Sequence, residues 1–237
     1  MIIKQEQTEN FTFFGVSTKG ESHLKADKPN QDAIGFNSLD NSFVIAISDG
    51  LGSCSRAHIG AQTAVLLCNN IFIEIANGQL SFESNSIIKR LSGLWKGSFP
   101  EIVAKEYSAT LKVVFLKDNK LIAISVGDGL LFIRSNNTVH TFENTESNFV
   151  NETACLSYGM QVDIFKTIEI ENIENLFVFI CTDGISSVIS EGRERELFEE
   201  IGKIKTIKEL RGEMEYMLDK MSEFNSDDKT AGVVRYE

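Results

Sequence analysis

Proline is scarce in this chain of 237 residues: there are two, while 42% of the residues are hydrophobic. Disordered and fibrous proteins have a different balance, so the composition indicates a globular protein with a sizeable core. Long apolar runs are missing too. No stretch of about eighteen apolar residues occurs, which argues against a membrane span. Residues 1–15 contain charged side chains and lack the apolar stretch of a secretory signal, so we expect a cytoplasmic protein.

Basic residues are outnumbered, with 23 Lys and Arg against 34 Asp and Glu, and the formal net charge is −11. Such a chain repels the phosphates of a nucleic acid unless a local basic patch intervenes. The longest basic cluster, Lys203 to Lys208, alternates with Ile and Thr, which is typical of a solvated helix flank. We therefore expect neither a nucleic-acid partner nor a membrane partner.

The four cysteines, at positions 54, 68, 155 and 181, form no C-x-x-C pair. This spacing favours neither a disulfide framework nor a zinc site. Cys68 and Cys181 lie in apolar runs and are expected to be reduced core residues.

The order of apolar patterns predicts an α+β fold. No proline-rich or glycine/serine-rich linker divides the chain, so we predict a single domain over residues 1–237. Runs of strands and runs of helices follow one another instead of alternating strictly. The expected strands are 11–17, 33–37, 43–48, 110–116, 121–126, 130–134, 139–142, 176–181 and 231–236, with 110–134 read as a three-stranded meander. One helix is expected to begin at residue 61. Further helices are expected over 86–105, with an interruption near 97–100, and over 185–189, 195–201 and 207–221.

Three of the predicted strands end in Asp-Gly, at Asp49, Asp128 and Asp183. The structural explanation of Asp-Gly is a tight hairpin turn, in which both residues accept positive φ. For Asp128 a turn and a ligand role remain equally open, because a strand pattern resumes at once. For Asp49 and Asp183 the following residues resemble loop and helix, which favours a functional role.

Carboxylates at the ends of buried strands crowd together, and like charges a few ångströms apart destabilise a fold. A divalent cation removes this cost. Carboxylate and carbonyl oxygens suit Mg²⁺ or Mn²⁺, whereas zinc would require His or Cys ligands. The glycine after each aspartate would let another backbone approach closely. Two further acidic segments, at Asp32 and at Asp227-Asp228, would alone be ordinary polar turns.

The ordered set of motifs resembles the metal-dependent protein serine/threonine phosphatases of the protein phosphatase 2C type, and it spans nearly the whole chain. Three segments most resemble a bacterial branch of that family: Gly20-Glu21-Ser22-His23, Pro29-Asn30-Gln31-Asp32-Ala33 and Asn151-Glu152-Thr153. The motifs are His23 through Asp32, Ser48-Asp49-Gly50-Leu51-Gly52, Ser108-Ala109-Thr110, Val126-Gly127-Asp128, Thr182-Asp183-Gly184 and Asp227-Asp228-Lys229-Thr230.

The resemblance implies a four-layer α-β-β-α sandwich of two mainly antiparallel sheets flanked by helices. It also implies a centre of two Mn²⁺ or Mg²⁺ ions. Asp49 would bridge both ions, and Gly50 would bind one of them through its carbonyl oxygen. Asp183 and Asp227 would hold the first ion, while Asp32 would reach the second, partly through water.

Asp128 matches a family residue that binds a weak third ion. Asp49 and Asp183 are the candidate catalytic residues, and His23 lies where relatives place a phosphate-binding basic residue. For His23, a structural hydrogen bond is an equally open role. The sequence departs from the family pattern at two positions. Leu51 stands where many relatives have a His that is a candidate general acid, and Ser187 stands where several relatives have an Asp that binds the third ion.

The implied reaction is hydrolysis of phosphoserine or phosphothreonine on proteins by a hydroxide shared between two cations. A kinase acting on the same proteins is the expected counterpart. One alternative is a catalytically silent relative that binds a phosphoprotein or kinase. Another is a different two-metal hydrolase such as a nuclease, which the acidic charge disfavours.

Overall fold

The computed structural model describes residues 1–142 and 154–236, which form eleven β-strands and six α-helices. The motif segment Asn151-Glu152-Thr153 lies outside these residues. Short 3-10 helices cover Glu101–Tyr107 and Val162–Ile164. The strands are β1 Ile2–Gln7, β2 Phe11–Thr18, β3 Asp32–Leu39, β4 Ser42–Asp49, β5 Leu111–Lys117, β6 Lys120–Val126, β7 Leu130–Ser135, β8 Thr138–Phe142, β9 Lys166–Glu171, β10 Leu176–Cys181 and β11 Lys229–Tyr236. The helices are α1 Glu21–Lys25, α2 Ala57–Ala76, α3 Ser84–Ser98, α4 Asp183–Ser186, α5 Glu194–Lys203 and α6 Ile207–Ser222.

The chain divides into two compact units. Unit 1 contains residues 1–30, 129–142 and 174–236, and unit 2 contains residues 31–128 and 154–173. Each unit has its own antiparallel sheet. The sequence-based expectation of one domain stays a prediction.

Unit 1 contains a six-stranded antiparallel sheet in the order β1-β2-β11-β10-β7-β8. All six residues of β10 are buried, as the continuous apolar run Leu176–Cys181 requires of a central strand. Helices α5 and α6 pack apolar residues, among them Phe198 and Met214, into the core of this sheet. Helix α6 begins with a capping box, in which Thr206 and Glu209 each bond the other's backbone.

Unit 2 contains a five-stranded antiparallel sheet in the order β3-β4-β5-β6-β9. Helix α2 buries the predicted apolar stripe, including Ala64, Cys68 and Phe72, and α3 adds Leu91 and Trp95 to the same core. Burial of this kind, at about 25 cal/mol per Å² of apolar surface, is the main stabilising contribution to such a unit.

Helix α2 has 20 residues and an 18-residue window of mean hydropathy 1.4, so its length and composition would suit a membrane span. This is weak evidence, because half of that window, 50%, is buried inside the protein. A core helix of a compact unit has the same composition.

The fold class is confirmed: two antiparallel sheets, each flanked by helices, form an α+β fold. The meander prediction over residues 110–134 is wrong. Strand β6 pairs with β5 and β9, whereas β7 pairs with β8 and β10 in the other sheet. A hairpin turn at Asp128 is therefore excluded. Two strands were not predicted, β1 and β9.

Candidate metal centre

The first acidic pair lies in unit 2, where β3 begins and β4 ends. Asp32 and Asp49 are direct partners in the antiparallel register of these strands. Opposite residues in such a pair have Cβ atoms about 4.5–5.5 Å apart, so the two side chains are neighbours. Asp32 is only 7% exposed. Two carboxylates in this arrangement repel each other, and a cation that binds both relieves the repulsion.

The backbone around Asp49 is held by the Ser108–Thr110 segment. The Asp49 N–H donates to Thr110 Oγ1 at 3.0 Å, and the Thr110 N–H donates to the Asp49 carbonyl oxygen at 2.7 Å. Ser48 Oγ donates to the Thr110 carbonyl oxygen at 2.6 Å. This reciprocal set of bonds explains why the Ser-Ala-Thr motif accompanies the aspartate, since it fixes the strand end that carries the carboxylate.

Gly50 lies where two other segments approach closely. It forms a β-bridge with Ala109, and its N–H donates to the Gln31 carbonyl oxygen at 3.1 Å. A Cβ at this position would lie 2.7 Å from the Cβ of Ala57, so a larger residue would force the start of α2 away. The expectation that glycine allows a close backbone approach is confirmed here.

A buried lysine supports the loop of Asp128. Lys112 is 2% exposed, and its Nζ donates to the carbonyl oxygens of Gly127 and Asp128, at 2.7 Å each. The Asp128 side chain is exposed to solvent. Sequence reasoning missed Lys112, although a lysine inside the apolar run Leu111–Leu116 was an available signal, because a buried lysine requires partners.

The second acidic set lies in unit 1 and begins at Asp183, the first residue of α4. The preceding Thr182 is tied to the last strand: its N–H donates to the Thr230 carbonyl oxygen at 2.9 Å, and its Oγ1 accepts from the Thr230 N–H at 3.1 Å. A Cβ at Gly184 would overlap the carbonyl oxygen of Asp228. Glycine thus lets α4 start directly against the segment that carries Asp227 and Asp228.

Asp228 is the most buried carboxylate of this set, at 2% exposure. Its Oδ1 accepts from the Gly20 N–H at 2.6 Å, and its Oδ2 lies 2.8 Å from His23 Nδ1. The Asp228 N–H in turn donates to Asp227 Oδ1 at 2.9 Å. One ligand atom from each of His23, Asp227 and Asp228 falls within 4.8 Å of the others, a spacing that a metal ion could bridge.

These contacts bear on the two roles left open for His23. Its ring makes the structural hydrogen bond, to a residue that sequence reasoning had left without a role. The Nδ1 atom is engaged by Asp228, so a phosphate contact would require Nε2, and that contact stays a prediction.

A second buried lysine supports the loop of Asp227. Lys229 is 1% exposed, and its Nζ donates to the carbonyl oxygens of Asn225 and Asp227 at 2.6 and 2.8 Å. Asn225 also accepts from the Asp227 N–H at 2.7 Å and donates to Ser187 Oγ at 2.8 Å. Ser187, at the position of a family aspartate, therefore belongs to the hydrogen bonding of this loop.

The predicted ligands form two groups. Unit 2 brings Asp32, Asp49 and Gly50 together, with Asp128 on a neighbouring loop of the same unit. In unit 1, Gly184, the residue after Asp183, packs against the carbonyl group of Asp228, the residue after Asp227. Both groups consist mainly of carboxylates, which are hard oxygen donors suited to Mn²⁺ or Mg²⁺.

Comparison with known proteins identifies a family and several solved structures that this chain resembles. The model of the family described as protein phosphatase 2C matches residues 19–223. RsbX, solved in complex with magnesium, has a TM-score of 0.70 at 18% identity and covers 100% of both chains. The serine/threonine phosphatase PstP/Ppp of Mycobacterium tuberculosis has a TM-score of 0.71 at 13% identity, covering 96% of this chain and 99% of its own.

The catalytic domain of PstP in complex with two manganese ions has a TM-score of 0.66 at 13% identity and covers 95% and 98% of the two chains. No curated protein matches the chain by sequence. At these identities the structural matches establish the fold.

Proposed function

Because the chain belongs to the protein phosphatase 2C family, we propose that it hydrolyses phosphoserine and phosphothreonine esters on proteins, using two Mn²⁺ or Mg²⁺ ions. The observation that carries the proposal is the direct pairing of Asp32 with Asp49 at the ends of adjacent strands. A domain that only bound phosphoproteins would gain nothing from holding two carboxylates together. The catalytically silent alternative is therefore not favoured.

Five of the predicted residues would hold the ions. Asp49 is proposed as the bridging ligand, with the Gly50 carbonyl and Asp32 beside it, while Asp183 and Asp227 supply the remaining charge. When bound, such ions lower the pKa of water and neutralise charge on a phosphate. Asp128 is proposed as a ligand of a third ion. Its exposure, together with Ser187 in place of an aspartate, predicts that this third site is weak.

The remaining residues position these ligands. Thr110 fixes the backbone of Asp49, while Lys112 and Lys229 fix the two acidic loops through their carbonyl groups. Asp228 holds His23 by its Nδ1, so that the Nε2 edge is the one left to meet a phosphate oxygen. Leu51 cannot donate a proton in place of the family histidine, so we propose water or His23 as the source of the proton for the leaving serine or threonine oxygen.

The proposal also names the substrates, the opposing enzyme and the location in the cell. The substrates would be phosphorylated proteins, in pathways where a Ser/Thr kinase adds the group that this enzyme removes. We propose that this reaction takes place in the cytoplasm.

The test measures release of phosphate from an aryl phosphate and from phosphoserine, phosphothreonine and phosphotyrosine peptides. Each is assayed with Mn²⁺, with Mg²⁺ and with chelator. We expect metal-dependent turnover of the aryl phosphate and of the first two peptides. Asp183→Asn should lower turnover by orders of magnitude, whereas Asp219→Asn, an exposed aspartate on α6, should not. If no metal supports turnover at any pH, the protein is not a phosphatase and the silent alternative gains support.

A further inference from the structure

Helix α2 presents an exposed face that differs from the surfaces of the other long helices. No Asp, Glu, Lys or Arg occurs from Ala57 to Ile73, although 24% of the chain is charged. By contrast, the exposed face of α6 carries ion pairs such as Arg211 with Glu215. A long surface helix without charge is unusual, because charged side chains normally occupy the solvated face.

Five exposed residues line this face, and we name them the α2 stripe: Ile59, Gln62, Leu66, Asn70 and Ile73. Its three apolar members are 39%, 58% and 46% exposed in chain order. They are spaced by seven residues, so they lie on nearly the same side of the helix. Large apolar side chains aligned in this way are typical of a helix–helix contact.

The stripe is symmetric about its centre. Ile59 and Ile73 lie seven residues to either side of Leu66, and the amides Gln62 and Asn70 lie four residues to either side. A two-fold axis through Leu66 would therefore place Leu66 against its own copy, each Ile59 against an Ile73, and each Gln62 against an Asn70. A surface that matches itself under a two-fold rotation is the requirement of an isologous dimer.

Charge supports an antiparallel pair of helices. Arg56 lies just before α2 and Glu74 near its end, and their side chains are 46% and 24% exposed. Within the chain, Arg56 pairs with Glu106 and Glu74 pairs with Arg90, so neither end of α2 presents an unpaired charge to a second copy. In the antiparallel arrangement the helix dipoles oppose each other, whereas a parallel arrangement would align them. The uncharged stripe also lets two chains of net charge −11 meet without facing like charges.

We propose that α2 is the contact surface of a homodimer, in which two copies of this chain pair antiparallel through the α2 stripe. The proposal does not depend on the phosphatase activity. The stripe extends along about 21 Å of helix, at a rise of 1.5 Å per residue. Such a contact belongs to the small class of interfaces, which bury less than roughly 1,200 Å² in total, so the dimer should form in a concentration-dependent way.

The first experiment measures mass by sedimentation equilibrium from low to high micromolar concentration. The chain has a mass of 26.4 kDa, and we expect a rise towards twice that value. Leu66→Glu would place two carboxylates against each other on the two-fold axis and should keep the protein monomeric throughout. Its circular dichroism should be unchanged, because Leu66 is exposed.

The matched control is Tyr216→Glu, which adds the same charge at a 62% exposed residue beside the groove between α5 and α6. This variant should dimerise like the parent chain. A parent chain that stays monomeric overturns the proposal. So does a dimer that is lost in Tyr216→Glu and kept in Leu66→Glu. A monomer that binds phosphatidylcholine–phosphatidylglycerol vesicles through α2 would identify a membrane surface as the occupant instead.

A second experiment tests the orientation and does not depend on the folding of Leu66→Glu. Two variants, Ile59→Cys and Ile73→Cys, are made in a chain whose partly exposed Cys54 and Cys155 are replaced by serine. The antiparallel pair predicts a disulfide-linked dimer when the two variants are mixed and oxidised. Linked dimers formed by each variant alone, with no disulfide between positions 59 and 73 in the mixture, would show a parallel pair and refute the proposed arrangement.

Discussion

Gly184→Ala should both destabilise the protein and weaken its affinity for Mn²⁺. An ideal Cβ at this position would overlap the Asp228 carbonyl oxygen and lie 3.0 Å from its carbonyl carbon. Both neighbours are backbone atoms, so no flexible side chain can move aside. Either the start of α4 or the segment of Asp227 and Asp228 must shift.

The size of the effect follows from this geometry. Inserting a methyl group into a packed site costs about 1–3 kcal/mol, and a clash with backbone belongs in the upper half of that range. For a chain of this length, about 2 kcal/mol corresponds to a fall in melting temperature of roughly 4–8 °C. A displacement of Asp183 from Asp227 should also weaken Mn²⁺ binding about tenfold or more, equivalent to roughly 1.4 kcal/mol.

The assays are urea unfolding followed by circular dichroism and Mn²⁺ titration by calorimetry. Gly212→Ala is the matched control, because no atom lies within 4 Å of the added Cβ and the residue lies within α6. It should raise the unfolding free energy by about 0.5–1 kcal/mol. If Gly184→Ala had parental stability and parental Mn²⁺ affinity while the control behaved as expected, the packing argument would be refuted.

Three further predictions concern buried or capping groups. Lys229→Met removes an ammonium group that donates to two loop carbonyl oxygens, so the unfolding free energy measured in urea should fall by about 2 kcal/mol. The control, Lys208→Met at an exposed residue, should change the unfolding free energy by less than about 0.5 kcal/mol. Thr206→Ala removes the capping box of α6 and should cost about 1 kcal/mol in the same assay; an unchanged midpoint would contradict the cap. Burial raises the pKa of the Cys68 thiol, so iodoacetamide at neutral pH should modify Cys54 first and reach Cys68 only after unfolding, as mass spectrometry would show.

The sequence predicted buried elements well because burial leaves a periodic signal. Helix α2 and strand β10 were found from their apolar patterns. Strand β9 was missed although Ile168 and Ile170 alternate with polar residues as in a half-buried strand; it lies at the edge of its sheet, none of its residues is fully buried, and the signal is therefore short and weak. The meander prediction failed for a different reason: a short apolar run predicts a strand but contains no information about its partner, and β7 joins the other sheet.

The candidate site was predicted unevenly for a similar reason. The repeated Asp-Gly dipeptides indicated Asp49 and Asp183, and the order of motifs indicated Asp32 and Asp227. The roles of Lys112 and Lys229 were missed: the apolar run around Lys112 signals a buried lysine, but the partners of both lysines are carbonyl groups of the main chain, which have no signature in the amino-acid sequence.

The position of β11 has a consequence for synthesis of the protein. This strand follows the other ten described strands in sequence, yet it lies between β2 and β10 and pairs with both. A nascent chain cannot complete the sheet of unit 1 until residues 229–236 have left the ribosome. Until then β2 and β10 each have an unpaired edge, and the residues of the Asp227 loop have no strand to anchor them. Binding of the proposed ions at that loop should therefore follow the pairing of β11 with β2 and β10.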